Sequence, residues 1–205
     1  MRPPYALALI AVSALSLCAA DSSITKEDRA QATQLLEASR SEYYAALKDV
    51  TPEQWKWKPA PERWSVGEVA EHIALAEALL FGKVTEAVNA KPNPEWEAKT
   101  KDKLAFLARV MPNRQGKAKS PLEIEPKGNL SKEETFAIFE QNRKPIEKFI
   151  GDTQVPWKEH TAEHPFPIFN TLSAQQWFLY IPWHTQRHLK QIAEVKATAG
   201  YPSSK

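Results

Sequence analysis

Tyr180-Ile-Pro-Trp-His-Thr-Gln-Arg-His-Leu-Lys-Gln-Ile192 reads as the core-facing part of a long helix. His184 and His188 are four residues apart, on the face that also carries Trp177, Ile181, Ile192 and Val195, because side chains at this spacing stack along a helix. Two imidazoles inside an apolar stripe need partners, since a buried polar group left unsatisfied is costly. For the pair alone, hydrogen-bonded core histidines and ligands of a metal ion are both open readings. A metal ion requires a third ligand from elsewhere in the chain. Pro182 cannot donate to the Phe178 carbonyl, so a bend is expected beside His184; it either opens room at the site or is a plain structural kink.

Working outward, Ser173-Ala-Gln-Gln176 starts this last helix, which ends before Gly200. A loop with His160, His164, Pro165 and Pro167 precedes it. Ser131-Lys-Glu-Glu134 has the pattern of a reciprocal N-terminal cap and opens the third long helix, to Ile150. Phe136, Phe139, Ile146 and Phe149 supply its core face, with a bend expected at Pro145. Residues 90–130 are cut by Pro92, Pro94, Pro112, Pro121 and Pro126, and Trp96 to Val110 reads as one irregular helix. A segment this long between the second and third long helices suits a crossover along a bundle.

The second long helix begins at Ser65, with Glu68 completing its cap, and runs to about Val88. Val66, Val69, Ile73, Ala76, Leu80 and Val84 form its apolar stripe, and His72 falls inside that arc. It is the candidate third imidazole. Upstream, Trp55, Trp57 and Trp64 surround Pro59 and Pro61 in a connection expected to cover one end of the core, and Thr51-Pro52-Glu53-Gln54 restarts a short helical turn. The first long helix opens at Thr25-Lys-Glu-Asp28 and reaches Leu47, with Ala32, Leu35, Leu36, Ser39, Tyr43 and Leu47 inward. No strand pattern is evident. Four long helices predict an all-α domain, an antiparallel four-helix bundle over residues 21–205.

Residues 1–20 read as a signal peptide: Arg2, an apolar run from Tyr5 to Leu17, then small residues up to Ala20. The run is shorter than the ~20 residues a membrane span needs, so no transmembrane segment is expected in the mature chain. Export to the periplasm or the extracellular space follows. Cys18 raises lipoprotein anchoring as an alternative, but bulky Leu17 stands where such processing wants a small residue. Cleavage after Ala20 removes the single cysteine, leaving histidine and carboxylate chemistry.

The formal charge of +2 over 205 residues gives no sign of a nucleic-acid surface, and the lysines at 83–132 are interspersed with acids. Seven Trp, eight Phe and five Tyr supply a large core. Oligomeric state is not legible, although bundles pair often enough that a homodimer is worth testing.

Trp55-Lys-Trp-Lys-Pro59, Arg63-Trp-Ser-Val-Gly-Glu-Val-Ala-Glu-His-Ile73 and the 180–192 stretch together resemble the DinB-like (damage-inducible protein B, YfiT-like) superfamily, in the expected order and over nearly all of 25–198. The resemblance implies an up-down-down-up four-helix bundle with a long crossover between helices two and three. It also implies one divalent ion, zinc or nickel, held by His72, His184 and His188. His164-Pro165 is similar to the family's loop signature, which makes His164 a substrate-side candidate rather than a ligand.

Three imidazoles leave an ion an open position that could acidify water or a substrate thiol and polarise an electrophile. The resemblance therefore admits metal-dependent hydrolases, thiol-dependent S-transferases or isomerases, and members with no assigned activity. Export disfavours the thiol reading, because those cofactor thiols are largely cytosolic. The expected function is a metal-dependent hydrolase of an unidentified small molecule. The alternatives are an S-transferase, a non-catalytic metal-binding bundle and a protein-interaction module. Catalytic candidates among the side chains are weak: Glu68 as base or partner of His72, against its capping role, and Arg187 for an anionic substrate, against a surface ion pair. Glu71 adjoins His72 but is turned away in angle.

Overall fold

The computed structural model describes residues 23–114 and 120–203; the leader read over residues 1–20, with Cys18, lies outside them. The elements in order are α1 (Lys26–Leu47), α2 (Pro52–Lys56), α3 (Val66–Asn89), α4 (Trp96–Thr100), α5 (Lys103–Val110), a 3-10 turn (Leu122–Ile124), α6 (Lys132–Asp152), β1 (Thr161–Glu163), β2 (Thr171–Ser173) and α7 (Ala174–Lys196).

Helices α1, α2, α3, α6 and α7 start where sequence-local chemistry puts them. Thr25, Thr51, Ser65, Ser131 and Ser173 each accept a hydrogen bond from the backbone three residues on, and the side chain there reaches back to the cap N–H. Each box satisfies two amides that a helix start otherwise leaves without partners. The expected inward faces are buried along α1 and α3. Leu35, Phe136 and Phe149, at the margins of their stripes, are only partly buried. Helix α6 continues past Pro145, and α7 past Pro182.

Contacts between side chains give the helix directions. Arg29 on α1 binds the Ile150 carbonyl of α6, while Tyr44 donates to Glu140 at 2.7 Å, so these helices are antiparallel. Asn142 on α6 donates to the Ala74 carbonyl at 2.9 Å, and Phe149 meets Phe81 at 5.7 Å, so α6 runs parallel to α3. The His72 and His188 rings are 4.4 Å apart, and Thr185 reaches Glu77 at 3.1 Å, so α7 opposes α3. Gln175 and Lys196 bind Asp28 and the Ala46 carbonyl, so α7 runs with α1. The bundle is up-down-down-up.

Parallel α3 and α6 require the chain between them to travel back along the bundle. That return contains α4, α5 and the 3-10 turn. The helix read over 96–110 is two helices, because Asp102 adopts a left-handed φ of 60° that an α-helix cannot continue through. Leu107 and Met111 are buried and join the core that α7 also lines.

The segment before α7 corrects the all-loop reading: β1 and β2 form an antiparallel hairpin, with Thr161 opposite Ser173 and Glu163 opposite Thr171. Strands of three residues are too short to show a two-residue period in sequence. His160 ties this hairpin to the start of the crossover, its Nδ1 lying 2.8 Å from the Ala90 carbonyl. Among the described residues, no helix is long and apolar enough to cross a membrane.

The core divides along the bundle. Trp157, Trp177, Phe178, Ile146 and Leu36 fill the end where α7 begins. Tyr43, Trp55, Val69, Ile73 and Phe139 fill the end where α1 stops and α3 starts. Each such side chain, fully buried, contributes about 1.5–3 kcal/mol through lost water contact. The candidate site lies toward this second end, where α3 and α7 pass each other beneath the crossover.

Candidate metal centre

His72 on α3 and His184 and His188 on α7 converge. One ligand atom from each lies within 4.8 Å of the others. Ring centroids are 4.4 Å apart for His184–His188, 4.4 Å for His72–His188 and 5.2 Å for His72–His184. The four-residue spacing on α7 makes the pair, and the antiparallel passage of α3 brings the third ring. Trp64 closes against His72 at 4.9 Å between centroids. His72 is 3% exposed and His188 8%, while His184 keeps a larger accessible edge.

Two of the rings have their tautomer set by a neighbour. His72 Nδ1 lies 2.8 Å from the Ile124 carbonyl, so Nδ1 carries the proton and donates, leaving the Nε2 lone pair for a ligand. His188 Nδ1 lies 2.9 Å from Gln191 Oε1. That oxygen also accepts from Arg114 Nη1 at 2.9 Å, which orients the amide with its oxygen toward the histidine. Arg114 is held in turn by Glu194, at 2.9 Å and 3.0 Å.

The electrostatics keep all three rings neutral. Burial lowers the His72 pKa to about 4. Burial also pushes His184 and His188 well below the usual imidazole range, reinforced by the repulsion of neighbouring imidazolium and guanidinium charges. Neutral imidazole is the form that ligates a metal. Three such donors suit a borderline ion such as zinc or nickel and leave room in its coordination sphere.

The other candidates fall in different places. Glu68 accepts from the Ser65 N–H at 2.7 Å and from Lys58 Nζ at 2.9 Å, so its carboxylate is engaged in the cap and an ion pair. Glu71 is buried, and its two oxygens accept from the Lys127 and Gly128 N–H groups at 3.0 Å and 2.9 Å. It therefore anchors the crossover segment whose Ile124 carbonyl meets His72. Arg187 lies on α7 between the two histidines and donates to the Asn113 carbonyl. His164 is not in the cluster; it stacks on Trp177 at 4.9 Å and 12°. A groove of about 650 Å³ lined by Trp96, Lys101, Lys158 and Gln176 lies at the far end of the bundle, apart from the histidines.

Ile124, Arg114 and Gln191 escaped the sequence reading. Gln191 had a signal, three residues after His188 and therefore within reach on the same helix. The other two belong to the crossover, whose path no local pattern encodes.

The uncharacterized protein YuaE of Bacillus subtilis (strain 168) is 30% identical over 165 residues, covering 77% of this chain and 93% of that protein. Among solved structures, YfiT from Bacillus subtilis, described as "a probable metal-dependent hydrolase with an unusual four-helix bundle topology", superposes with a TM-score of 0.58 at 15% identity. The superposition covers 87% of this chain and 91% of YfiT, a likeness of fold. The sequence profile of the DinB superfamily matches residues 35–192, and the chain belongs to that superfamily.

Proposed function

We propose that His72, His184 and His188 hold one divalent metal ion, zinc or nickel, and that the protein is a metal-dependent hydrolase of a small molecule. The observation that supports this most directly is the convergence of three neutral imidazoles within 4.8 Å, with no cysteine or carboxylate among them. A bound ion would supply Lewis acidity, activating water and polarising the bond to be cleaved. The chain's own contribution is orientation: Ile124 and Gln191 set the ring tautomers, and Trp64 shields His72. The description of YfiT as a probable hydrolase supports the reaction class. Export through residues 1–20 belongs to the same proposal and rests on the apolar run before Ala20.

Metal analysis of tag-free protein tests the centre: about one ion per chain is expected, and little in a His72/His184/His188 triple alanine variant. Equal metal in both would sink it. Screening esters, amides and thiol-transfer substrates tests the chemistry. Ester or amide cleavage lost in the triple variant supports hydrolysis, whereas thiol transfer alone would replace it.

A further inference from the structure

Between the 3-10 turn and α6 the chain runs from Glu125 to Leu130 without helix or strand, so no backbone ladder fixes where its carbonyls and amides point. Side chains of α2 and α3 fix them instead. The Ile124 carbonyl meets His72 Nδ1 at 2.8 Å, and Trp55 Nε1 donates to the Leu130 carbonyl at 3.0 Å. Between these two points, the Lys127 and Gly128 N–H groups donate to the two oxygens of Glu71 at 3.0 Å and 2.9 Å.

Glu71 makes the strongest of these fastenings, because hydrogen bonds to a carboxylate exceed those between neutral groups. Two consecutive amides that converge on one anion form a concave nest, and here the anion is the protein's own side chain, 3% exposed. Gly128 makes the turn possible. Its φ of 70° is left-handed, and a Cβ there would lie 3.1 Å from Glu68 Oε1.

Glu71 and His72 are neighbours on α3, and they grip the same segment three to four residues apart. The Ile124 side chain is buried in the core and seats the residue. The direction of its carbonyl depends on how the chain leaves it, toward Lys127 and Gly128. A histidine ring with Nε2 ligated is a stronger Nδ1–H donor, so metal uptake would tighten the bond to Ile124. Linkage makes the effect reciprocal: whatever docks the segment favours the metal by the same factor.

We infer that Glu71 is a positioning residue for the metal centre. It holds residues 124–130 in the turn that aims the Ile124 carbonyl at His72 Nδ1, so that docking of this segment and metal binding reinforce each other. The inference rests on the metal-centre reading and adds to it a residue that touches neither the ion nor the substrate.

The test compares the full chain with Glu71→Gln and Glu71→Ala, each shown to be folded by circular dichroism. Glutamine keeps one acceptor but turns an NH2 toward the other amide; alanine removes both acceptors. In the metal-free wild type, imidazole nitrogen NMR shifts should report His72 protonated on Nδ1, and both variants should give a mixture of tautomers. Zinc affinity by chelator competition should fall about tenfold in Glu71→Gln and about 10–100-fold in Glu71→Ala. Zinc should also slow hydrogen exchange at the Lys127 and Gly128 amides of the wild type by about threefold or more. A wild-type His72 protonated on Nε2, a tautomer or zinc affinity unchanged in Glu71→Ala, or exchange indifferent to zinc would each overturn the proposal. Should Glu71→Ala not fold, Gly128→Ala, which strains the same turn and leaves the carboxylate in place, takes its part in the comparison. Should wild type take up no zinc, the metal-centre reading fails, and the tautomer comparison on metal-free protein alone decides the role of Glu71.

Discussion

Glu77 of α3 and Arg143 of α6 form a doubly hydrogen-bonded ion pair with almost no solvent access: Nε to Oε2 is 2.7 Å, Nη2 to Oε1 is 2.6 Å, and their side chains are 1% and 0% exposed. Thr185 of α7 donates to Glu77 at 3.1 Å. Arg143 also donates to the Leu36 carbonyl and Ser39 hydroxyl of α1, at 2.8 Å and 3.1 Å. All four long helices meet in this one polar network, a few residues below the histidines. Packing alone tolerates sliding along an apolar stripe, whereas directional bonds do not, so the network sets the register that aligns His72 with His188.

Breaking one side of that pair strands a buried charge. Arg143→Met should cost about 3–5 kcal/mol in urea unfolding, and Glu77→Leu a similar amount. The double variant should recover most of the loss, because neither charge then remains. A single variant within about 1 kcal/mol of wild type would remove the pair from any structural role.

The Gln191 amide connects Arg114 to His188. Gln191→Leu preserves size and helix propensity while removing the acceptor that holds the His188 proton on Nδ1. Metal affinity, measured by chelator competition, should fall about 10–100-fold. Unchanged affinity would mean that the ring needs no such support.

Acid should destabilise the metal-free protein in a defined window. The folded pKa of His72 is lowered to about 4 from 6.5, and those of His184 and His188 also lie well below 6.5, all chiefly by burial. The unfolded chain therefore binds more protons below pH 6.5. The stability of the folded form is complete above that pH and declines as pH falls toward 4. For His72 alone the loss is about 3 kcal/mol. Denaturation across pH 4–7 should show a steep slope in wild type and a shallower one in the His72/His184/His188 alanine variant. Parallel slopes would contradict it.

Gly67 lies against the indole of Trp55, where an added Cβ would come within 2.5 Å of Nε1. That nitrogen donates to the Leu130 carbonyl at 3.0 Å, so the ring cannot retreat without breaking a bond. Gly67→Ala should therefore destabilise by about 1–3 kcal/mol despite alanine's better helix propensity. Thermal melting checks it, and a stabilised variant would show that Trp55 is free to move.

Local chemistry decided much of this molecule before any packing. The cap pairs at Ser65/Glu68, Ser131/Glu134 and Ser173/Gln176 act across three residues, so their hydrogen bonds are written in the chain itself. The stripe on α7 likewise put His184 and His188 on one face, because helix geometry alone controls i to i+4 spacing. What residues more than a few positions apart do depends on how helices are oriented, and spacing is silent on that. Glu77 among alanines carried no sign of Arg143, and the short strands at 161–163 and 171–173 had no period to display. The Ile124 carbonyl reaches His72 only because the crossover folds back over α3. His184 and His188 were paired by sequence; tertiary structure brought His72 to them, since only the antiparallel passage of α3 and α7 makes that distant imidazole their neighbour.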